Sequence, residues 1–280
     1  MPTVLLVRHG RTSANTGGTL AGWTPGVELD ETGRAQVLAL AARIAEAQLQ
    51  PVQFVSSPLH RCLQTAELLQ TQLHQAGSLR DRPTGVIASD REPTASTRPT
   101  SLPDTQVDER LGECHYGAWT GQALTELAKE PLWRVVQDHP SAAAFPDGEQ
   151  YPGESLTAMS ARAVAAIREH DRVVAATHGE HAVWVAVSHG DVIKAVLADA
   201  LGMHLDLYQR IRVDPASVSV FTYAERRPIV HRINDLGGPL AGVVPAAGAP
   251  GESGDGAVGG GAGAEPAQRT PQAPAPGNGG

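Results

Sequence analysis

A chain of 280 residues with 41% apolar side chains is long enough for one α/β domain with a sizeable core. Its formal charge of −8 excludes the basic footprint of a nucleic-acid binder, so any anion site must be assembled locally from a few converging cations. Two cysteines, Cys62 and Cys114, exclude a disulfide framework, and no apolar run reaches the length of a membrane span. The first residues lack a charged segment leading into a long apolar one, so the expected location is the cytoplasm.

Taken in chain order, "TVLLV" (3–7) predicts a buried strand that runs straight into Arg8, His9 and Gly10. Residues 30–49 predict a helix with Val37, Leu40, Ala41 and Ile44 on one face. "QFVSS" predicts a second short strand, and residues 61–75 a second helix with Cys62, Ala66, Leu69 and Leu73 on its stripe. The polar, Pro-, Thr- and Arg-rich stretch 77–106 is long for a loop, which suggests an insertion or a lid. A helix over 155–170 is capped by Ser155 and turns Leu156, Met159, Ala163 and Ile167 inward. "AVWVAVS" is a strong strand signal, followed by a helix over 191–201 that Gly202 closes. "SVSVFTY" and "PIVHRI" read as a closing pair of strands with a turn near 225–227.

From Gly237 onward 14 of 44 residues are Gly and 7 are Pro, with no aromatic side chain. Such a segment buries too little apolar surface to offset its ordering entropy. The expectation is a domain over 1–236 and a disordered tail over 237–280. Strand–helix alternation predicts a three-layer α/β/α sandwich with a mostly parallel central sheet.

In open α/β sheets, ligands sit beyond the C-terminal ends of the strands. Three predicted strands deliver Arg8-His9, Ser56-Ser57 with Arg61 one turn on, and Ser188-His189 to that edge. Two imidazoles and two guanidiniums there form a compact cationic pocket, and an arginine fork matches a tetrahedral oxyanion in bidentate fashion. The fitting ligand is a phosphate monoester, a small phosphorylated metabolite. One neutral imidazole could attack phosphorus, with its other nitrogen fixed by an acceptor. The arginines and the second histidine would stabilise charge on the equatorial oxygens without any metal or cofactor. The leaving alkoxide needs a proton, and Glu113 in "ERLGECHYGAWTG" is the favoured donor, its pKa raised beside phosphate.

The motifs "RHGRTSAN", "SSPLHRCLQTAE", "GECHYGAWTG", "GES" and "SHGDVI" occur in an order that resembles the histidine phosphatase (phosphoglycerate mutase-like) superfamily, in its small bacterial phosphatase type. The likeness spans about residues 1–235. It implies that His9 is the phosphorylated nucleophile and that Arg8, Arg61 and His189 complete the phosphate pocket. Asn15 and the Gly10 backbone lie beside them, with Glu113 as proton donor. It implies hydrolysis in two steps, the second being attack of water on phosphohistidine. Arg11 and Thr120 stand where many relatives carry Glu, which bears on substrate choice. The segment "TGQALTELAKEPLWRVV" holds Lys129 and Arg134 but no Arg-Arg doublet of the mutase kind, which favours hydrolysis over transfer. A phosphomutase and a non-catalytic phospho-ligand module are the alternatives.

Each motif also has a plainer reading. Arg8 and His9 could cap a strand, Arg61 could belong to a helix first turn, and Asn15 could cap a turn. Asp108, Glu109 and Glu154 compete with Glu113. Ser57 reads as a helix cap more readily than as a phosphate ligand. Cys62 reads as a small core residue, and "THGEH" (177–181) as a solvated loop. Tyr116 and Trp119 either pack or line the pocket. The sequence gives no reading of oligomeric state.

Overall fold

Alternation along the strands divides the core in two. In the computed structural model, Val4 and Leu6 of β1 (Thr3–Arg8) join one apolar cluster, while Leu5 and Val7 join the other. Trp184 and Ala186 of β4 (Val183–Ser188) go with Val4 and Leu6, whereas Val185 and Val187 go with Leu5 and Val7. This is the period-two geometry of a strand buried on both faces. One face is covered by α1 (Glu31–Glu46) and α2 (His60–Arg80), whose stripes carry the apolar residues read from the sequence. The other is covered by α4 (Leu156–His178) and α5 (Gly190–Ala200), with α3 (Pro131–Asp138) beyond them. The layers are therefore α/β/α. Each fully buried Leu, Ile or Val contributes about 1.5–3 kcal/mol to holding them together.

The structure describes residues 1–80, 104–223, 226–237 and 258–260. The sheet also contains β2 (Pro51–Ser56), β3 (Thr105–Val107), β5 (Val218–Tyr223) and β6 (Pro228–Asp235), in the order β3-β2-β4-β1-β5-β6. β1, β2, β3 and β4 are mutually parallel, and β5 runs antiparallel to both β1 and β6. The sheet is mixed and mostly parallel, as expected.

Register brings the three motif-bearing strand ends together. Arg8 pairs with Ser188 across β1 and β4, and Ser56 pairs with Val187 across β2 and β4. Beyond the last pairs, the His9 amide donates to the Ser188 carbonyl at 3.0 Å and the Ser57 amide to the Val187 carbonyl at 3.0 Å. His9, Ser57 and His189 thus leave the sheet side by side at one edge.

Four boundaries differ from the sequence reading. α2 continues to Arg80, so the expected loop at 77–106 yields its first residues to a helix. It yields its last two, Thr105 and Gln106, to β3. The stretch between them, 81–103, lies outside the described residues. α4 runs on to His178 because Asp171 occupies a buried stripe position, where its carboxylate accepts the Trp184 Nε1 proton at 3.1 Å. A polar residue on the stripe masks a helix that Gly179, at φ 85°, finally ends. "THGEH" is thus the end of α4 and the turn into β4, with Glu180 and His181 exposed. Within the segment 237–280, Val258 is buried at 2% exposure in the core cluster. The rest of that segment, 238–257 and 261–280, lies outside the described residues.

Candidate active site

A cavity of about 20 Å³ opens at this edge, lined by His9, Thr12, Asn15, Arg61, Glu113 and Tyr116, with the 19–22 turn and Gly259 completing its wall. Every reactive group around it is buried: Arg8 and His189 at 0% exposure, Glu113 at 2%, His9 and Arg61 at 3%.

His9 Nδ1 lies 2.8 Å from the carbonyl oxygen of Gly10. A carbonyl only accepts, so Nδ1 carries the proton and the neutral ring keeps its lone pair on Nε2. Burial, then the Arg61 and Arg8 charges, hold the ring's pKa well below the usual histidine range. The imidazole is therefore neutral, the form a nucleophile needs. Gly10 does not line the cavity. Its amide donates to Thr65 Oγ1 at 3.2 Å and its carbonyl orients His9. A Cβ there would lie 2.6 Å from the Gly33 carbonyl oxygen, so glycine is required by close approach.

His189 is held differently. Arg61 Nη2 stands 3.2 Å from His189 Nδ1, and a guanidinium only donates, so Nδ1 accepts. Nε2 then carries the proton and donates to Ser57 Oγ at 2.7 Å. Ser57 Oγ also accepts the Leu59 amide at 3.3 Å, so it caps the turn and fixes the second imidazole at once. The two imidazole centroids are 5.3 Å apart, edge to face. Burial and the Arg61 charge lower the pKa of His189 as well. Cys62 Sγ lies 3.4 Å from His189 Nε2, and burial pushes its thiol up to about 12, so it behaves as a small neutral core residue.

Arg61 also donates to the Gly22 carbonyl at 2.9 Å, which ties the start of α2 to the 19–22 turn. Arg8 donates to the Val213 carbonyl at 2.9 Å; burial draws its pKa down to about 10, against the support of Glu113, Asp214 and Asp191. Arg8 and His189 flank the cavity rather than line it. Asn15 lines it, and its carbonyl oxygen accepts from the Thr12 amide and hydroxyl at 3.0 and 2.9 Å in a reciprocal cap. Both the cap reading and the pocket reading of Asn15 describe its place.

Glu113 is the cavity's carboxyl. Burial, then the Asp191 charge, pushes its pKa up to about 7, against the pull of Arg61, the Cys114 amide and Arg8. Of its competitors, Glu109 is exposed and the other two are engaged elsewhere. Asp108 pairs with Arg110 at 2.7 Å and His170 at 2.9 Å, and Glu154 pairs with Arg162 at 2.7 Å. Trp23 lies against Gly112, stacks on His115 with centroids 4.3 Å apart, and donates from Nε1 to the Glu113 carbonyl at 2.7 Å. Arg162 donates to the same carbonyl at 3.0 Å, so the Glu113 backbone is pinned from two sides.

Behind Glu113 lies a network that sequence reasoning missed. Tyr116 OH donates to Asp191 Oδ2 at 2.7 Å, and Lys194 Nζ bonds Asp191 Oδ1 at 3.2 Å, all at 2% exposure or less. The available signal was an Asp and a Lys three residues apart in the first turns of a mostly apolar helix, "DVIKAVLADA". Trp119 packs in the core against Phe145 and Trp133, away from the cavity. Arg11 is held by Asp30 at 2.9 Å, outside the cavity lining.

The sequence pattern of the histidine phosphatase superfamily (branch 1) matches residues 4–100 and 82–236. The chain belongs to the histidine phosphatase superfamily. It is 30% identical over 208 residues to the glucosyl-3-phosphoglycerate phosphatase of Mycolicibacterium vanbaalenii, covering 72% of this chain and 76% of that protein. It is 27% identical over 215 residues to a 2,3-bisphosphoglycerate-dependent phosphoglycerate mutase of Caulobacter vibrioides, covering 70% and 79% respectively. The structure of mycobacterial glucosyl-3-phosphoglycerate phosphatase superposes with a TM-score of 0.62 at 24% identity, covering 83% of this chain and 98% of that one. The fold is thus that of the superfamily, and the protein is an enzyme of the phosphatase class. Among the described residues, no helix is long and apolar enough to cross a membrane.

Proposed function

We propose that this enzyme is a metal-independent phosphomonoester hydrolase that works through a phosphohistidine on a small phosphorylated metabolite. The observation that carries the reading is the tautomer of His9: Nδ1–H is spent on the Gly10 carbonyl, and the ring lines one cavity with Glu113 and Arg61. His9 Nε2 forms a bond to phosphorus as the ester P–O bond breaks. Glu113 gives its proton to the departing alkoxide and becomes a carboxylate. A water then attacks the phosphohistidine, Glu113 takes its proton, and phosphate leaves with His9 neutral again. Arg61 and Arg8 stabilise the three equatorial oxygens. His189 acts chiefly through its hold on Arg61.

Hydrolysis is favoured over phosphoryl transfer between two hydroxyls because Arg61 is the one cation among the described residues that line the cavity. Lys129 is paired with Glu126 at 2.7 Å on the surface. Phosphorylated carboxylic acids and their sugar conjugates, as named for the relatives, belong first in a substrate panel. The test is phosphate release across a library of monoesters, with and without EDTA, alongside acid-labile labelling of His9. Loss of activity in EDTA would overturn the metal-independent reading. Conversion of 3- to 2-phosphoglycerate faster than phosphate release would replace hydrolase by mutase.

A further inference from the structure

Three residues of the Gly/Pro-rich C-terminal segment sit inside the site just described. Val258 is buried at 2% exposure in the apolar cluster that holds Leu20, Tyr116 and Val192. The Gly259 amide donates to Asp191 Oδ2 at 3.1 Å, and the Gly259 carbonyl accepts from Arg8 Nη2 at 3.4 Å. Gly259 also lines the cavity together with His9, Arg61 and Glu113. Its φ of 66° lies in the left-handed region, and a Cβ there would stand 2.7 Å from Leu20 Cδ1. Conformation and space both call for glycine at this position.

Charge is the second argument, because Gly259 forms part of the wall of the cavity that also holds His9, Arg61 and Glu113. Arg8, at 0% exposure, has the Gly259 carbonyl as one of its partners. A neutral carbonyl is a weaker partner for a guanidinium than a phosphate oxygen, whose bond is charge-assisted. A phosphoryl dianion can therefore displace the segment, whereas a ligand without that charge gains less from doing so. Attachment to the same chain raises the segment's local concentration.

We infer that the groove over Leu20, Arg8 and Asp191 is a binding site for a glycine-centred peptide segment, that the chain's own Val258–Gly260 is its resident ligand, and that this ligand competes with the phosphoryl group for Arg8. The inference rests on the phosphatase reading for its kinetic readout but not for its binding readout.

The experiment compares the full-length chain with Val258→Asp, which removes the apolar anchor, and Gly259→Val, which removes the left-handed fit. Both variants should lower KM for para-nitrophenyl phosphate and the inhibition constant for inorganic phosphate by at least about threefold, with kcat little changed. A synthetic peptide spanning residues 254–263 should inhibit Val258→Asp competitively. Wild-type KM and phosphate affinity in both variants would overturn the inference. Hydrogen exchange on the unmodified protein gives a test independent of variant folding. Saturating inorganic phosphate should speed exchange of the Gly259 amide at least about tenfold, and an unchanged rate would overturn the inference. If no form hydrolyses any monoester, the phosphatase reading fails alone. Calorimetric phosphate affinity then decides the competition: tighter binding to Val258→Asp supports it, and equal binding sinks it.

Discussion

Two strands of this sheet end in the same dipeptide, and the two ends are built for different work. At the end of β1, His9 spends one ring nitrogen on the carbonyl of its own neighbour and keeps the other for the cavity. At the end of β4, His189 has both nitrogens engaged, one receiving from Arg61 and one giving to Ser57, and is fully enclosed. Burial keeps both rings neutral. On the proposed mechanism, what separates a nucleophile from a positioning group here is the partner of the second nitrogen. A His-Gly at a strand end therefore says where an imidazole stands and leaves open what it does.

The largest expected effect is that of His9→Ala, which should reduce kcat by 10⁴-fold or more and abolish acid-labile labelling. If His189→Ala removed the label and His9→Ala did not, the two roles would be exchanged. Glu113→Gln should cost about 10²–10³-fold on an alkyl phosphate and much less on para-nitrophenyl phosphate, whose leaving group needs no proton. The same variant tests pH dependence. Glu113 must be protonated to donate, and its pKa stands at about 7. The rate on an alkyl ester should be full below that value and fall as pH rises through it, and this alkaline limb should vanish in Glu113→Gln. His189→Ala should lower kcat/KM by about 10²-fold, the scale of one misplaced stabilising donor, while labelling of His9 persists. The smallest change is expected for Ser57→Ala, which leaves the His189 Nε2 proton without its acceptor. About 1.4 kcal/mol, or tenfold in KM, is the scale of such a lost buried bond, with kcat nearly intact. An equal loss in kcat would mean that His189 touches the transferring group itself.

Much of this was legible in the sequence because strand ends are. An apolar run of period two must stop at the sheet edge, and the residue types just beyond it announce the chemistry. That logic put Arg8, His9, Arg61 and His189 at one edge, and the structure places them there. Glu113 was legible as a carboxyl in a glycine-bounded turn. That two of its rivals, Asp108 and Glu154, are held by arginine partners is visible only in the structure. What stayed hidden depends on distant pairing. Ser57 and His189 are 132 residues apart, and Tyr116 and Asp191 are 75 apart, so neither bond leaves a local trace. The site reading of Val258 and Gly259 was hidden for a similar reason. Composition averages over 44 residues, whereas a docked tripeptide needs only one valine and one well-placed glycine.

Trp23 gives the Glu113 peptide an optical handle. Its indole rests on Gly112, stacks with His115 and holds the Glu113 carbonyl, so a small displacement of that peptide alters the polarity and quenching around one chromophore. Trp119, Trp133 and Trp184 sit in the interior and supply a steady background. Emission from this enzyme should therefore record, without dye or label, when the Glu113 peptide shifts during a turnover.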